Sequence, residues 1–352
     1  MNMSYMMERE INSQIEVIGN LFKRFFVNYC VLADIPQSIK KINIIASGSS
    51  YNAGLFGKYF FENISKVPTN VQFASECLMS DVIIFDKNAL YVFLSQSGSS
   101  YDTLTVMQKI KEAGACALAI TNNNESQMHN LADFAFYLDA GKEQAIAATK
   151  TFSATVVMLW LLALKIAQNK KYDVSSEIKN ANSIEVSLKE MFDNIQNLDM
   201  AAKLISKQKS FSIAGAGANY PLACETALKI KETSYINTCA YPMGEYIHGH
   251  FAVLNKQKVF LTFINQYSDS NERKLLSKIT STYKTKTIVV SDEYDDYDCS
   301  ILVKIPKHST RIMTILNSII AIQLLAFKTA ICLKRNVDNP KGLDKIVSSG
   351  HA

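Results

Sequence analysis

Two stretches of this chain, separated by almost half its length, run the same course. Ile42-Asn-Ile-Ile-Ala-Ser-Gly-Ser-Ser-Tyr51 and Ser210-Phe-Ser-Ile-Ala-Gly-Ala-Gly-Ala-Asn-Tyr220 each read as a short strand entering a turn of small residues and then a helix. The parallel continues downstream. Tyr91–Ser95 has a counterpart in Val259–Ile264, Cys116–Ile120 in Thr287–Ser291, and a long apolar helix near residue 155 in another near 315. Phe134–Leu138 reads as a fourth strand of the first half and Val71–Ala74 as a weaker fifth. Helix-period stretches, Leu55–Ile64 and Leu104–Glu112, lie between them, the second stopped by Gly114. Alternating β and α elements bury both faces of a parallel sheet under helices. The period is too long, and the copies too few, for a solenoid. The expected fold is therefore α/β with a duplicated lobe: a helical segment over 1–25, lobes over 26–192 and 193–336, and a tail over 337–352.

Composition narrows the function. The chain has 352 residues, 48% of them hydrophobic, enough for two cores. Its 37 basic and 32 acidic residues are interspersed, and no basic run makes a nucleic-acid footprint. The seven cysteines, Cys30, Cys77, Cys116, Cys224, Cys239, Cys299 and Cys332, form no C-x-x-C pair. Neither a zinc site nor a disulfide framework is indicated, and a cytoplasmic location is expected. Met1–Glu10 carries charges and no apolar core, unlike a signal peptide. Val156–Leu164 and Ile312–Phe327 are apolar, but a bilayer span needs about 20 such residues. Both read as buried helices, and no membrane partner is expected.

The two halves differ where the Tyr91 strand ends. The first half has Ser95-Gln-Ser-Gly-Ser-Ser100 and the second Ile264-Asn-Gln-Tyr-Ser-Asp269. Only the first combines a glycine with hydroxyls and no acid. A turn at a helix start offers unpaired N–H groups and the positive end of the helix dipole, and serines add donors without bulk. The Ser47–Ser50 turn, with Gly48, Ser49 and Ser50, belongs to the neighbouring strand end. Either turn alone is an ordinary capped helix start; together they suggest a cradle for a phosphate monoester. No G-x-x-x-x-G-K-[ST] occurs, so a nucleoside triphosphate is not implied.

Glu225, Lys229 and Glu232 share one helix face at i, i+4 and i+7, a pattern that on a lone helix is a surface ion-pair ladder. His248 and His250 flank one glycine in Gly244-Glu-Tyr-Ile-His-Gly-His250, read as a loop. No third ligand completes a metal set, so proton transfer by His248 is the better expectation. The tail Asp338-Asn-Pro-Lys-Gly-Leu-Asp-Lys345 is irregular, and pattern alone leaves it a solvated terminus.

Taken in order, Ser47-Gly-Ser-Ser-Tyr-Asn-Ala-Gly54, Ser95-Gln-Ser-Gly-Ser-Ser-Tyr-Asp-Thr103, Ala147-Ala-Thr-Lys150 and Ala227-Leu-Lys-Ile-Lys-Glu232 resemble the sugar isomerase (SIS) family, in particular the isomerase half of glucosamine-6-phosphate synthase and its stand-alone relatives. The resemblance runs from about Met7 to Val347. It implies two flavodoxin-like lobes and a substrate but no cofactor or metal. By the same resemblance Ser50, Ser95, Gln96, Ser97 and Ser100 hold a 6-phosphate, with Gly48, Ser49 and Ala148 also at the sugar. Glu232 moves a proton between C1 and C2 of the open-chain sugar. Lys229 positions the intermediate, and Lys345 forms an imine with the carbonyl. His248 assists ring opening in the neighbouring subunit's site, which implies a homodimer. The family's serine in A-S-T-K is Ala148 here, and the proline after His-Gly is His250, differences that bear on which sugar is taken.

The synthase also has a glutamine-hydrolysing domain with a nucleophilic cysteine. Here about 40 residues precede the first strand and the first cysteine is Cys30, so ammonia from glutamine is not expected. Deamination of glucosamine 6-phosphate or deglycation of a fructosamine 6-phosphate is, with plain isomerisation as neighbour. A non-catalytic sugar-phosphate sensor is the alternative. Such a protein needs the serine loops but not Glu232, His248 and Lys345 together, and fold alone does not decide.

Overall fold

The structure, a computed structural model, describes residues 5–79, 85–179, 184–255, 258–294 and 297–345. Its first sheet holds five parallel strands: β1 Ile42–Ala46, β2 Thr69–Phe73, β3 Leu90–Ser95, β4 Cys116–Thr121 and β5 Phe134–Tyr137. Their order is β2-β1-β3-β4-β5. The second sheet holds β6 Ser210–Gly215, β7 Asn237–Pro242, β8 Val259–Phe263, β9 Lys286–Ser291 and β10 Ile301–Lys304, again parallel, in the order β7-β6-β8-β9-β10. Counted from its own first strand, each sheet runs 2-1-3-4-5. This is the flavodoxin-like order, whose ligands sit beyond the carboxyl ends of strands 1 and 3. The duplication read from the sequence is thus a duplication of topology.

The principal helices are α1 Gly48–Asn63, α2 Tyr101–Glu112, α3 Lys150–Asn169, α4 Asn219–Ser234, α5 Ser270–Tyr283 and α6 Arg311–Cys332. Two compact units result. The first lobe takes in residues 16–143, 148–178 and those from 344; the second takes in residues up to 15, 144–147 and 179–343.

In the first lobe β1, β3 and β4 are apolar and buried almost throughout, as strands covered on both faces must be. Helix α1 lies between β1 and α3. A Cβ at Gly57 would stand 2.9 Å from Ile44 Cδ1 and 3.1 Å from Leu159 Cδ2, so a larger residue would make those side chains shift. Helix α3 is buried for most of its length, and Trp160 packs on Phe22 at 5.7 Å between centroids. Truncating a fully buried leucine such as Leu159 to alanine typically costs roughly 2–5 kcal/mol.

The second lobe repeats the plan, with α6 as the buried closing helix. Both α3 and α6 are long and apolar enough to cross a membrane by length and composition, yet 89% and 78% of their apolar windows are buried inside the fold. They are core helices, as the sequence suggested, and longer than the apolar runs that announced them. The N-terminal helix Met6–Asn12 docks here too. Tyr5 meets Phe327 edge-on at 5.6 Å, and the Asp338 carboxylate accepts the Met6 and Met7 N–H groups at 3.0 and 2.9 Å. Lys341 N–H donates to the Tyr235 hydroxyl at 2.6 Å, and Ile146 N–H to Asp338 O at 3.1 Å. The tail as far as Lys345 is therefore anchored rather than frayed; its remainder lies outside the described residues.

Four described strands escaped the sequence reading: β7, β10 and the two-residue strands Phe26–Val27 and Cys30–Val31, which pair as a hairpin. The helices start earlier than read, α1 at Gly48 and α2 at Tyr101, so Ser50 belongs to the first turn of a helix.

Candidate active site

The serine loop follows β3. Ser95 is buried at the strand end, and its Oγ accepts Gly98 N–H at 3.1 Å and lies 3.1 Å from Ser100 Oγ. Ser97 Oγ accepts Ser99 N–H at 3.3 Å. Gly98 has φ +65°, and a Cβ there would fall 2.1 Å from Ser126 Oγ. The position needs glycine for conformation and for space. Two further hydrogen bonds pin the loop to the chain beyond β4: Met128 N–H to Gly98 O at 3.2 Å and Asn122 N–H to Gln96 O at 3.0 Å. At the N-terminus of α2, Ser100 makes no side-chain cap bond; nor does Ser47 at the start of α1. Strands β1 and β3 are hydrogen-bonded neighbours, with Ala46 opposite Leu94, so the two turns leave adjacent strand ends. Both offer a helix dipole and hydroxyls with a serine at the N-cap, properties that favour an anion, although α2 carries Asp102 in its first turn.

The second lobe supplies a charged triad on α4. Lys229 is fully buried between Glu225, also fully buried, and Glu232, whose side chain is 21% exposed. The Lys229–Glu225 separation is 3.5 Å, and Lys229 Nζ donates a hydrogen bond to Glu232 Oε2. The surface ladder that helical spacing alone would favour is here sunk into the lobe. One member, Glu232, keeps access to solvent. Breaking such a buried pair costs roughly 3–5 kcal/mol because a charge is left unpaired.

The segment Gly244–His250, read as a loop, lies in two 3-10 turns, Gly244–Ile247 and His250–Val253, with Gly249 at φ +100° between them. His248 is exposed. His250 lies against the Tyr241 ring at 4.1 Å. Below them Tyr246 is buried, which pushes its hydroxyl up to about 12. Among the described residues no three His, Cys, Asp or Glu side chains gather as a metal site.

Lys345 meets a partner that the sequence reading missed. Its Nζ donates to Oε2 of Glu143 at 2.9 Å. Glu143 is 3% exposed and sits at the N-terminus of α3, accepting Thr149 N–H at 2.8 Å, Thr149 Oγ1 at 3.2 Å, Thr151 N–H at 3.3 Å and Thr151 Oγ1 at 2.6 Å. Burial pushes the Glu143 carboxyl up, but the Lys345 ammonium and the hydrogen bonds from Thr151, Lys345 and Thr149 outweigh it, leaving the group below its ordinary value. Half-buried Ala148 precedes this cap.

With these pieces in view, comparison with known proteins decides the family. The SIS domain profile matches residues 37–165 and again 204–328. The chain belongs to the SIS-domain family. It is 32% identical over 349 residues to glutamine–fructose-6-phosphate aminotransferase (isomerizing) of Aquifex aeolicus, covering 98% of this chain and 58% of that protein. It thus spans little more than half the length of that relative. The C-terminal domain of glucosamine-fructose-6-phosphate aminotransferase from Francisella tularensis superposes with a TM-score of 0.87 at 30% identity, covering 96% of this chain and 99% of that one. Glucosamine-6-phosphate deaminase from Thermotoga maritima shares the fold, with a TM-score of 0.77 at 22% identity over 97% and 99% of the two chains.

Within this SIS protein the structure groups the candidates into two sets. Ser47–Ser50, Ser95–Ser100, Ala148 and Lys345 belong to the first lobe, and Lys229, Glu232 and His248 to the second. Glu143 left one trace in the sequence, an acid six and eight positions ahead of two threonines at a helix start.

Proposed function

We propose that this SIS protein is an aldose–ketose enzyme acting on a 6-phosphorylated sugar or amino sugar, and that it releases ammonia or an amine as a glucosamine-6-phosphate deaminase or fructosamine-6-phosphate deglycase. The observation that carries this reading is the buried triad on α4. A sensor would need the serine loop only, whereas a lysine sunk between two carboxylates, one reaching solvent, is costly unless its charges are used.

In this reading Ser50, Ser95, Gln96, Ser97 and Ser100 bind the phosphate, with Gly48, Ser49 and Ala148 beside the sugar. Glu232 moves a proton between C1 and C2, taken from C2 of glucosamine 6-phosphate or from C1 of a fructosamine 6-phosphate, a step to which a positioned acid–base group contributes roughly 10²–10⁴-fold. Lys229 holds Glu232 in place. Lys345 condenses with the open-chain carbonyl. For an amino sugar the same proton shift turns the C2 amine into an imine, which water hydrolyses to the ketose phosphate and ammonia. Exposed His248 assists ring opening in the site of a second copy, making the active species a cytoplasmic homodimer.

The test is ammonia release from glucosamine 6-phosphate and amine release from fructosamine 6-phosphates by the purified protein and by Glu232→Gln. Expected is a loss of roughly 10²–10⁴-fold in the variant, with fructose 6-phosphate still raising its melting temperature. Equal release by both proteins removes Glu232 from the mechanism. No release by either, with sugar phosphate still stabilising both, favours the sensor.

A further inference from the structure

Among the described buried charges outside α4, Glu143 bonds to a residue that the proposed chemistry uses. Five donors converge on its two oxygens, and four of them come from Thr149 and Thr151 at the start of α3. Those four already satisfy a buried carboxylate at a helix N-terminus, where the dipole favours negative charge. Lys345 adds to that cap the positive charge that balances the carboxylate. It brings a half-exposed ammonium on an irregular tail, 202 residues away in sequence, to a fixed anion. Glu143 is also joined to the serine loop. Asn122 gives its N–H to Gln96 O at 3.0 Å, its Nδ2 to Gly141 O at 2.9 Å, and its Oδ1 accepts Ala140 N–H at 2.8 Å. One asparagine thus ties the turn just before Glu143 to the loop assigned to the phosphate.

We infer that Glu143 is a positioning residue that docks Lys345 beside the substrate carbonyl and serves as counter-ion to the imine. The inference rests on the proposed role of Lys345 as the imine-forming amine. Charge supports it. The ammonium and a carbonyl compound give an iminium and water: the C=N bond forms, the C=O bond breaks, and two ammonium protons leave with the oxygen. Nitrogen carries one positive charge before and after. A carboxylate fixed by α3 neutralises both states without rearranging, so no uncompensated charge appears. It also fixes the long, flexible lysine side chain at the end of the anchored tail, part of what positioning contributes to a rate.

The experiment is reductive trapping. The protein is incubated with fructose 6-phosphate and borohydride, and the modified residue is located by mass spectrometry. Wild type is expected to be labelled at Lys345 and Lys345→Ala to lose that label. Glu143→Gln should be labelled at least about tenfold more slowly, with kcat reduced while glucitol 6-phosphate, which has no carbonyl, binds with unchanged Kd. Glu143→Asp should recover part of the labelling, because charge rather than shape is the requirement. Should Glu143→Gln not fold, Thr151→Val loosens the same Oε2 and is expected to slow labelling several-fold. Labelling of the folded Glu143 or Thr151 variants at the wild-type rate overturns the docking role alone. No Lys345 label in wild type overturns the imine reading and this inference with it.

Discussion

In the second lobe the loop that leaves β8 closes on itself. Asp269 accepts Asn271 and Glu272 N–H at 2.8 and 3.0 Å, and Glu272 returns a bond to Asp269 N–H at 3.1 Å, a complete capping box on α5. Asn265 donates to Asn219 at 3.0 Å, and Ser268 to Glu272 at 3.2 Å. In the first lobe the corresponding loop leaves β3 with serines alone, and Ser100 turns its hydroxyl to Ser95 instead of capping α2. Both loops leave the same position in the same 2-1-3-4-5 sheet. One crevice is filled by carboxylates and amides of its own chain; the other has a serine instead of an acid at the helix N-cap, with Asp102 in the first turn. The topology offers the same crevice in each lobe, and in the proposed function local side chains decide which lobe uses it for a phosphate.

The swap Ser100→Asp tests this most sharply, since it gives the first lobe the acid that the second lobe has. Two unit charges about 5 Å apart repel by about 3 kcal/mol at an effective dielectric near 20, more than about a hundredfold in affinity. Binding of fructose 6-phosphate, followed by calorimetry, should fall at least that far while the melting temperature holds or rises, because aspartate caps a helix as well as serine. Retained affinity would move the phosphate away from this loop. The mirror change, Asp269→Ala, should act only on stability. Loss of a capping residue costs typically about 1 kcal/mol, seen as a lower melting temperature with unchanged sugar-phosphate affinity. A change in affinity would mean that the second-lobe loop also touches the ligand.

The same contrast explains what could be read in advance. Central strands β1, β3, β4, β6, β8 and β9 were legible because burial on both faces demands unbroken apolar runs. Strands β7 and β10 were not. They stand at the sheet edges, β10 adding a bridge from Lys304 to Gln196, and Asn237, Cys239 and Pro242 of β7 are exposed, so the apolar signature is diluted. Edge strand β2, the weaker reading, exposes Asn70, Gln72 and Phe73 for the same reason. In the candidate site, Glu225, Lys229 and Glu232 were legible as one helix face because their spacing is local. Their burial was not, since it depends on what packs over α4. The bond between Glu143 and Lys345 had no local trace at all, because no pattern of spacing joins residues 202 positions apart.

The two lobes should also answer acid differently. Glu143 in the first lobe is held below its ordinary value, the push upward from burial being outweighed by Lys345 and the hydrogen bonds of Thr151 and Thr149. Such a group stabilises the folded state above its unfolded value, about 4.5, and that contribution is lost as the pH falls through the folded value. In the second lobe burial pushes Asp292 and Glu272 up, and their hydrogen bonds do not offset it. Their protonated forms are favoured in the fold, so their contribution is present at low pH and is lost as pH rises through the raised values. Acidification from about pH 7 to pH 4.5 should therefore firm the polar network around Gln266 and Glu272 before it loosens that around Glu143. Amide hydrogen exchange, corrected for intrinsic rates, reads this lobe by lobe. Peptides covering 265–272 should gain protection over that interval, and peptides covering 143–151 should lose it only below it. Loss near Glu143 at higher pH would mean that Lys345 and the threonines hold its charge less firmly than the geometry implies, and would weaken the case for a carboxylate kept ionised to receive an amine.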